Sequence, residues 1–483
     1  MSNINNYQKH SINNTHIKTS FELLNIPLAL ANSLRRGFSS LVPTVTFDDT
    51  WYEEEAIRSI LINTNTSALH NEFLSHRLAL IPLNMTGNSN IQIKTIFRKD
   101  NGTRDFAFVN PELVPIFTLK IKNDNLNKDN RDKDGFLEVN SSHFNIENDI
   151  ASKYLLTDPY TRDPIIIDKL KSNVSNEDDG EELDIICRPR ISMGKINARN
   201  DPTGTVTFQY KVDESKVDST FELKLQYLNN ERVRKGLEVF TELEIKQLKR
   251  SFELLDKERV FYRNVSGDPN LFQMSVETNG FLNPDQIIID TLDITTRVLR
   301  DILNSISIKS VGNQLAIITN SKVVISETTG NKLGTSIIVK HENHTIGNIL
   351  AHYTRYNYAN EEANSSILSY AGYRMNHPLI EEIECILTLK HIEHEGLVDN
   401  IKEMLFNKIP IEFEDITNWD IIYKMSLASL RELLSVIIFI KSINLSIKDL
   451  AIIKSQFTQL TNVSKTSYLA EDGELFHTRF NSI

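Results

Sequence analysis

Apolar and polar positions alternate loosely over Ile17–Leu24, which predicts a strand. Pro27 follows where a first helical turn tolerates a missing N–H. Beyond it Leu30, Leu34, Phe38 and Leu41 recur at helical spacing, and Asn32, Arg35, Arg36 and Ser39 fall on another face. A second strand is predicted at 42–47. The same order returns much later in the chain. Residues 336–340 read as a strand, Asn343-His344-Thr345 offers capping groups, and Ile346, Ile349, Leu350 and Tyr353 form an apolar helical face before a strand at 368–373. Leu30-Ala31-Asn32-Ser33-Leu34 and Ile346-Gly347-Asn348-Ile349-Leu350 are thus one phrase written twice, too far apart for a solenoid repeat.

Each half closes in a similar way. Phe272, Met274 and Val276 alternate before Asn283-Pro284-Asp285, which reads as a cap, a first-turn proline and a first-turn acid. The helix opened there should run to about Leu303, with Ile288, Leu292, Thr295, Leu299 and Ile302 on one stripe. In the second half Ile383, Cys385, Leu387 and Leu389 alternate, and a later helix carries Leu427, Leu430, Leu434 and Ile437. Both long helices are expected to present a narrow seam for helix packing. Between the first half's opening and closing elements lie about 150 residues that the second half lacks. Apolar runs at 78–83, 91–97 and 164–167 predict a small core of their own, and polar stretches at 123–135 and 172–184 predict solvated loops.

Composition narrows the class. A chain of 483 residues exceeds one ordinary core, and 40% apolar with 24% charged residues is a globular balance. The longest apolar run, 433–440 interrupted by Ser435, falls far short of the roughly 20 residues needed to cross a bilayer. Residues 1–15 are rich in Asn and Ser and show no signal-peptide core, so they are expected to be disordered. Two cysteines, Cys187 and Cys385, give no disulfide framework and point to a reducing compartment. A net charge of −11 disfavours nucleic-acid binding as the main task.

Longer motifs then carry a resemblance. Leu30-Ala31-Asn32-Ser33-Leu34-Arg35-Arg36 with Val42-Pro43-Thr44-Val45, the run from Asn63 through His70-Asn71-Glu72-Phe73-Leu74-Ser75-His76-Arg77 to Leu83, and Gly194-Lys195-Ile196-Asn197-Ala198-Arg199 are similar to the third-largest subunit of eukaryotic RNA polymerase II and its archaeal D-like counterpart. More distantly, the first half resembles the amino-terminal domain of the bacterial alpha subunit. His344-Thr345-Ile346-Gly347-Asn348-Ile349-Leu350 with Tyr370-Ala371-Gly372-Tyr373-Arg374-Met375-Asn376-His377-Pro378-Leu379 resembles the small partner, which is the eleventh subunit or its archaeal L-like counterpart. Beyond His391 the likeness is only that of a long helix. In cellular enzymes these are two polypeptides, and their fusion resembles the arrangement of large nucleocytoplasmic DNA viruses.

The resemblance implies an α+β fold with two alpha-like dimerisation domains, each an antiparallel sheet with long packing helices. They would form an intramolecular pseudo-dimer, with an inserted α/β or mostly β domain. The expected division is 1–15 disordered, 16–48 with 205–304 the first dimerisation domain, 49–204 the insertion, 305–334 a linker, and 335–483 the second dimerisation domain with a helical tail. The implied role is a non-catalytic assembly platform of a DNA-directed RNA polymerase, without a cofactor. Its partners would be the second-largest and largest subunits, with small zinc-binding assembly subunits as further candidates, and neither specific nucleic acid nor membrane. A viral factory, a virion or the nucleus would be its place. The rival reading is a free-standing interaction module with an alpha-like fold outside any polymerase.

Candidate residues follow. Leu30, Ala31, Leu34, Phe38, Leu292, Leu299, Ile346, Gly347, Ile349, Leu350, Leu430 and Leu434 are expected at the contact between the halves, with Ala31 and Gly347 letting two helices approach closely. Arg35 and Arg36 are expected to face a large subunit or simply solvent. Arg188, Arg190, Lys195 and Arg199 form a basic loop that either contacts a subunit or pairs internally. Related subunits carry a cysteine-built zinc or iron–sulfur site in the insertion, but Cys187 stands alone there, so no such metal site is expected. His70 with His76 and His391 with His394 lack a His-Glu-x-x-His pattern, and Gly330 and Gly334 make no phosphate loop. No catalytic residue is assigned.

Overall fold

The computed structural model describes residues 3–11, 17–49, 58–83, 97–99, 106–108, 115–124, 130–147, 150–158, 161–173, 180–280, 282–311, 314–328, 331–359, 366–406 and 420–461. In chain order the first half forms β1 (Asn3–Ser11), β2 (Ile17–Leu24), α1 (Leu28–Ser40), β3 (Pro43–Thr46), β4 (Ile60–Asn65), α2 (Asn71–Ala79), β5 (Phe97–Lys99) and β6 (Phe106–Phe108). Next come β7 (Phe117–Lys122), β8 (Leu137–Asn140), β9 (Asn145–Ile146), β10 (Ile166–Leu170), β11 (Glu182–Cys187), β12 (Arg190–Met193) and β13 (Thr203–Tyr210). They are followed by α3 (Glu214–Arg234), α4 (Glu242–Leu255), β14 (Leu271–Thr278), α5 (Pro284–Asn304), β15 (Ile306–Val311), β16 (Gln314–Thr319), β17 (Val323–Thr328) and β18 (Asn331–Lys340). The chain continues with α6 (His344–Tyr358), β19 (Leu368–Arg374), β20 (Glu382–Leu389), α7 (His394–Phe406), α8 (Asp420–Tyr423) and α9 (Leu427–Thr461).

Two antiparallel four-stranded sheets share one plan. The first has the order β1-β2-β14-β13 and the second β17-β18-β20-β19. In each, the strand that leads into a helix (β2 into α1, β18 into α6) lies beside the later central strand. Met274 stands opposite Phe21, and Ile337 opposite Cys385. Alternation then turns Phe272, Met274 and Val276 to a single buried face. Both strand-to-helix turns hold a left-handed non-glycine residue, Asn25 (φ 57°) and His341 (φ 63°). The amide of each donates to the loop that enters the neighbouring strand, Asn25 to the Asn270 carbonyl (2.7 Å) and His341 to that of Glu381 (2.6 Å).

The helices start where their caps place them. Asn283 Oδ1 accepts from the amide of Asp285 ahead of α5, and Asn343 Oδ1 from that of Thr345 ahead of α6. One apolar core runs from Phe21 and Leu23 through α1 and α5 to Ile337, Val339, α6 and α9. A second core gathers β4, β7, β8, β10, β11 and α2, with Phe117 edge-on to Phe47, Phe144 and Tyr154. Ile294 of α5 reaches into this second core.

Several expectations are corrected. β1 occupies part of the stretch read as disordered, pairing with β2 along its length while the Ile4 amide donates to Gln456 Oε1 (3.0 Å). Residues 305–334, expected as a linker, hold the β15–β16 hairpin, β17 and the start of β18. α3 and α4 form a helical arm between β13 and β14. The long helices offer no narrow seam: α9 is buried all round its middle, because α5, α6 and α7 and strands of both sheets enclose it. Parts of 1–15, 91–97, 123–135 and 172–184 lie outside the described residues, as does Gly330. Among the described residues no helix is long and apolar enough to cross a membrane.

Candidate functional site

The twelve residues expected between the halves all lie on α1, α5, α6 and α9. Leu30, Ala31, Leu34, Phe38, Leu292, Leu299, Ile346, Ile349, Leu350, Leu430 and Leu434 sit in the same apolar core, and Gly347 is buried beside them. α1 packs on α5 and α6, and α9 packs on the same two helices from elsewhere. A Cβ on Gly347 would overlap the ring of Tyr373 on β19, so its missing side chain admits a ring of its own sheet. The close approach of α1 is at Gly37, where a Cβ would meet Thr291 Cγ2 of α5.

Polar ties cross this core. Lys454 of α9 pairs with Asp293 of α5 at 2.6 Å, and the Tyr353 hydroxyl donates to Asp449 at 2.6 Å. Tyr7 and Lys9 of β1 both reach Asp285 at 2.8 Å. Burial pushes Asp290 up to about 7, against the pull of the Gln286 amide that donates to it. Burial likewise raises Glu342 to about 7, although Lys322 lies 3.1 Å away.

The basic loop folds mostly inward. Arg199 pairs with both Asp48 and Asp49, Arg190 is buried with a guanidinium nitrogen 3.8 Å from Asp48, and His76 lies 3.3 Å from Asp49. Burial works against ionisation of Asp49, yet hydrogen bonding and charge from Arg199 outweigh it and hold the carboxyl below its usual range. These carboxylates belong to the chain just after β3, which brings Asp48 and Asp49 against the loop. Lys195 reaches Glu381 in the second half at 3.1 Å. Gly194 passes so near the Ser39 carbonyl that a Cβ could not fit, and the Lys195 amide donates to the Ser40 carbonyl (2.8 Å). The loop and the end of α1 thus form one surface, on which Arg36 is exposed and Arg35 bonds Asn32 Oδ1 (3.0 Å). Arg188 is half-buried.

Three of the four candidate histidines, His70, His76 and His394, have structural partners, and His391 is exposed. His70 caps α2 by accepting from the Glu72 amide, and His394 lies 3.2 Å from the Met425 carbonyl. Among the described residues no cluster of three metal-ligating side chains occurs.

Sequence reasoning missed a cleft of about 1330 Å³ between the two sheet and helix units. Its walls include Phe208 and Tyr210 of β13, Tyr370 and Tyr373 of β19, and Arg355 and Lys448. Asn32 and Asn348, the doubled asparagines, both line it. Their shared place off the apolar stripe was the available signal.

Two sheets of one plan, backed by helices that pack on each other, define an α+β scaffold of the dimerisation type. The chain belongs to the family described as the RNA polymerase Rpb3/Rpb11 dimerisation domain, which matches residues 20–299. It is similar to DNA-directed RNA polymerases IV and V subunit 3B of Arabidopsis thaliana, 26% identical over 294 residues, covering 58% of this chain and 85% of that protein. DNA-directed RNA polymerases II, IV and V subunit 3 of the same plant is 25% identical with the same coverage. DNA-directed RNA polymerase II subunit RPB3 of Schizosaccharomyces pombe is 28% identical over 209 residues, 43% of this chain and 58% of that protein.

Proposed function

We propose that the chain is a non-catalytic assembly subunit of a multisubunit DNA-directed RNA polymerase in which both halves of an alpha-like heterodimer are joined. The observation that carries the reading is the single core shared by two sheets of identical strand order. Family membership and the subunit names of the relatives support the first half as third-subunit-like. The second half, built on β17–β20, α6 and α9, would take the place of the small partner, and the separate core around Phe117 supports reading 49–204 as an insertion. The second-largest and largest subunits would dock on the outer surface, where Arg36 at the end of α1 is free to meet carboxylates. A virus-encoded enzyme in a cytoplasmic factory is the setting that suits a joined subunit, with a nuclear enzyme as its alternative.

Leu34→Asp combined with Ile349→Asp places two charges in the apolar core, each costing several kcal/mol. Affinity purification of this variant from cells that make the polymerase should recover neither large subunit, while the wild-type chain recovers both. Undiminished recovery by the variant would sink the reading.

A further inference from the structure

The cleft is bordered by two sheet edges on which no further strand pairs among the described residues. β13 ends the first sheet and β19 the second, and Tyr210 and Tyr370 bring both strands to its wall. The outer side of an edge strand presents alternate N–H and C=O groups that no ladder uses. Asn32 and Asn348 line the same space; Asn348 offers the donor and acceptor that a peptide group needs, and Asn32, whose Oδ1 already accepts from Arg35, adds its amide N–H groups. Arg355 and Lys448 add two exposed cations with no carboxylate partner among the described residues. Of the acids present, Asp449 is engaged by the Tyr353 hydroxyl. Asp268 lines the cleft with His352, whose imidazole is held below its ordinary pKa by burial and then by Arg355, with the charge of Asp268 opposing.

We propose that this cleft receives an extended, acidic segment of a partner polypeptide, which adds as a strand to the open edge of β19 while its carboxylates meet Arg355 and Lys448. The proposal rests on the assembly reading above, since the segment would belong to a large polymerase subunit. A nucleic-acid strand fits less well, because its backbone needs a longer row of cations than this wall supplies.

The test uses the full chain with Tyr356, a residue of the cleft wall, replaced by p-benzoylphenylalanine. The tagged protein is irradiated in cells that make the polymerase, purified and analysed by mass spectrometry. The expected crosslink joins position 356 to one Asp- and Glu-rich stretch of a large subunit. Arg355→Glu with Lys448→Glu should lower its yield at least tenfold without shifting the melting temperature. Arg234→Glu with Lys235→Glu, at the tip of the helical arm, should leave the yield unchanged. The proposal is overturned if large subunits co-purify but position 356 crosslinks to neither, or to nucleic acid, or if charge reversal keeps the wild-type yield. Recovery of no large subunit by the wild-type chain overturns the assembly reading as well.

Discussion

At Gly347 two residue-level effects oppose each other. Replacing a helical glycine by alanine favours the helix by at most about 1 kcal/mol, but here, one turn into α6, the new methyl would press on the Tyr373 ring. Overpacking of this kind costs about 1–3 kcal/mol, so Gly347→Ala should destabilise the protein in urea titrations. In a Tyr373→Ala background the same substitution should become neutral or stabilising. The sequence made the glycine visible and hid its neighbour, because Tyr373 comes from a strand whose register only the fold supplies. Asp290 supports a pH prediction. Buried and raised to about 7, it stays protonated in the native state while the unfolded chain ionises near 3.8, so the native state binds more protons between these values. Its contribution is complete below pH 4 and is lost as pH rises to about 7, an effect of at most about 4 kcal/mol. Asp290→Asn should therefore melt higher than wild type at pH 8 and near wild type at pH 4, read by thermal denaturation. Asp293, Arg297 and Lys454 also face this group and set the remaining slope.

Among the elements, the α3–α4 arm stands apart. Each of its helices buries a single residue, Phe221 and Phe252, and these two rings pack on each other. Surface pairs such as Lys249 with Asp218 and Lys224 with Asp256 join the helices, but solvent screens them and they add little stability. Replacing 214–258 by a short glycine and serine turn should therefore leave the melting temperature of the rest within a few degrees, measured by circular dichroism. Phe221-Glu222-Leu223-Lys224-Leu225-Gln226-Tyr227 alternates like a strand, which obscures this element in the sequence. The strands β2, β14 and β20 were legible because one face of each is buried and the other less so. β1 was not, since an edge strand needs few apolar residues and takes its order from β2 and Gln456.

For the whole molecule, the repeated phrase marked the two sheets of one strand order, whereas the cleft between them depends on how both pack. Cutting the chain in the turn between β16 and β17 leaves the shared core as the main tie between the pieces. Residues 1–320 and 321–483, co-expressed with a tag on one, should co-purify in equal amounts by size-exclusion chromatography; the assembly reading predicts this and separate elution would count against it. The continuity of that core also fixes a reaction order. Two free polypeptides meet at a rate set by their concentrations, but segments of one chain close on each other at an effective concentration of about millimolar. Formation of this scaffold is thus first order, and dilution or uneven expression of its two parts cannot leave one of them in excess.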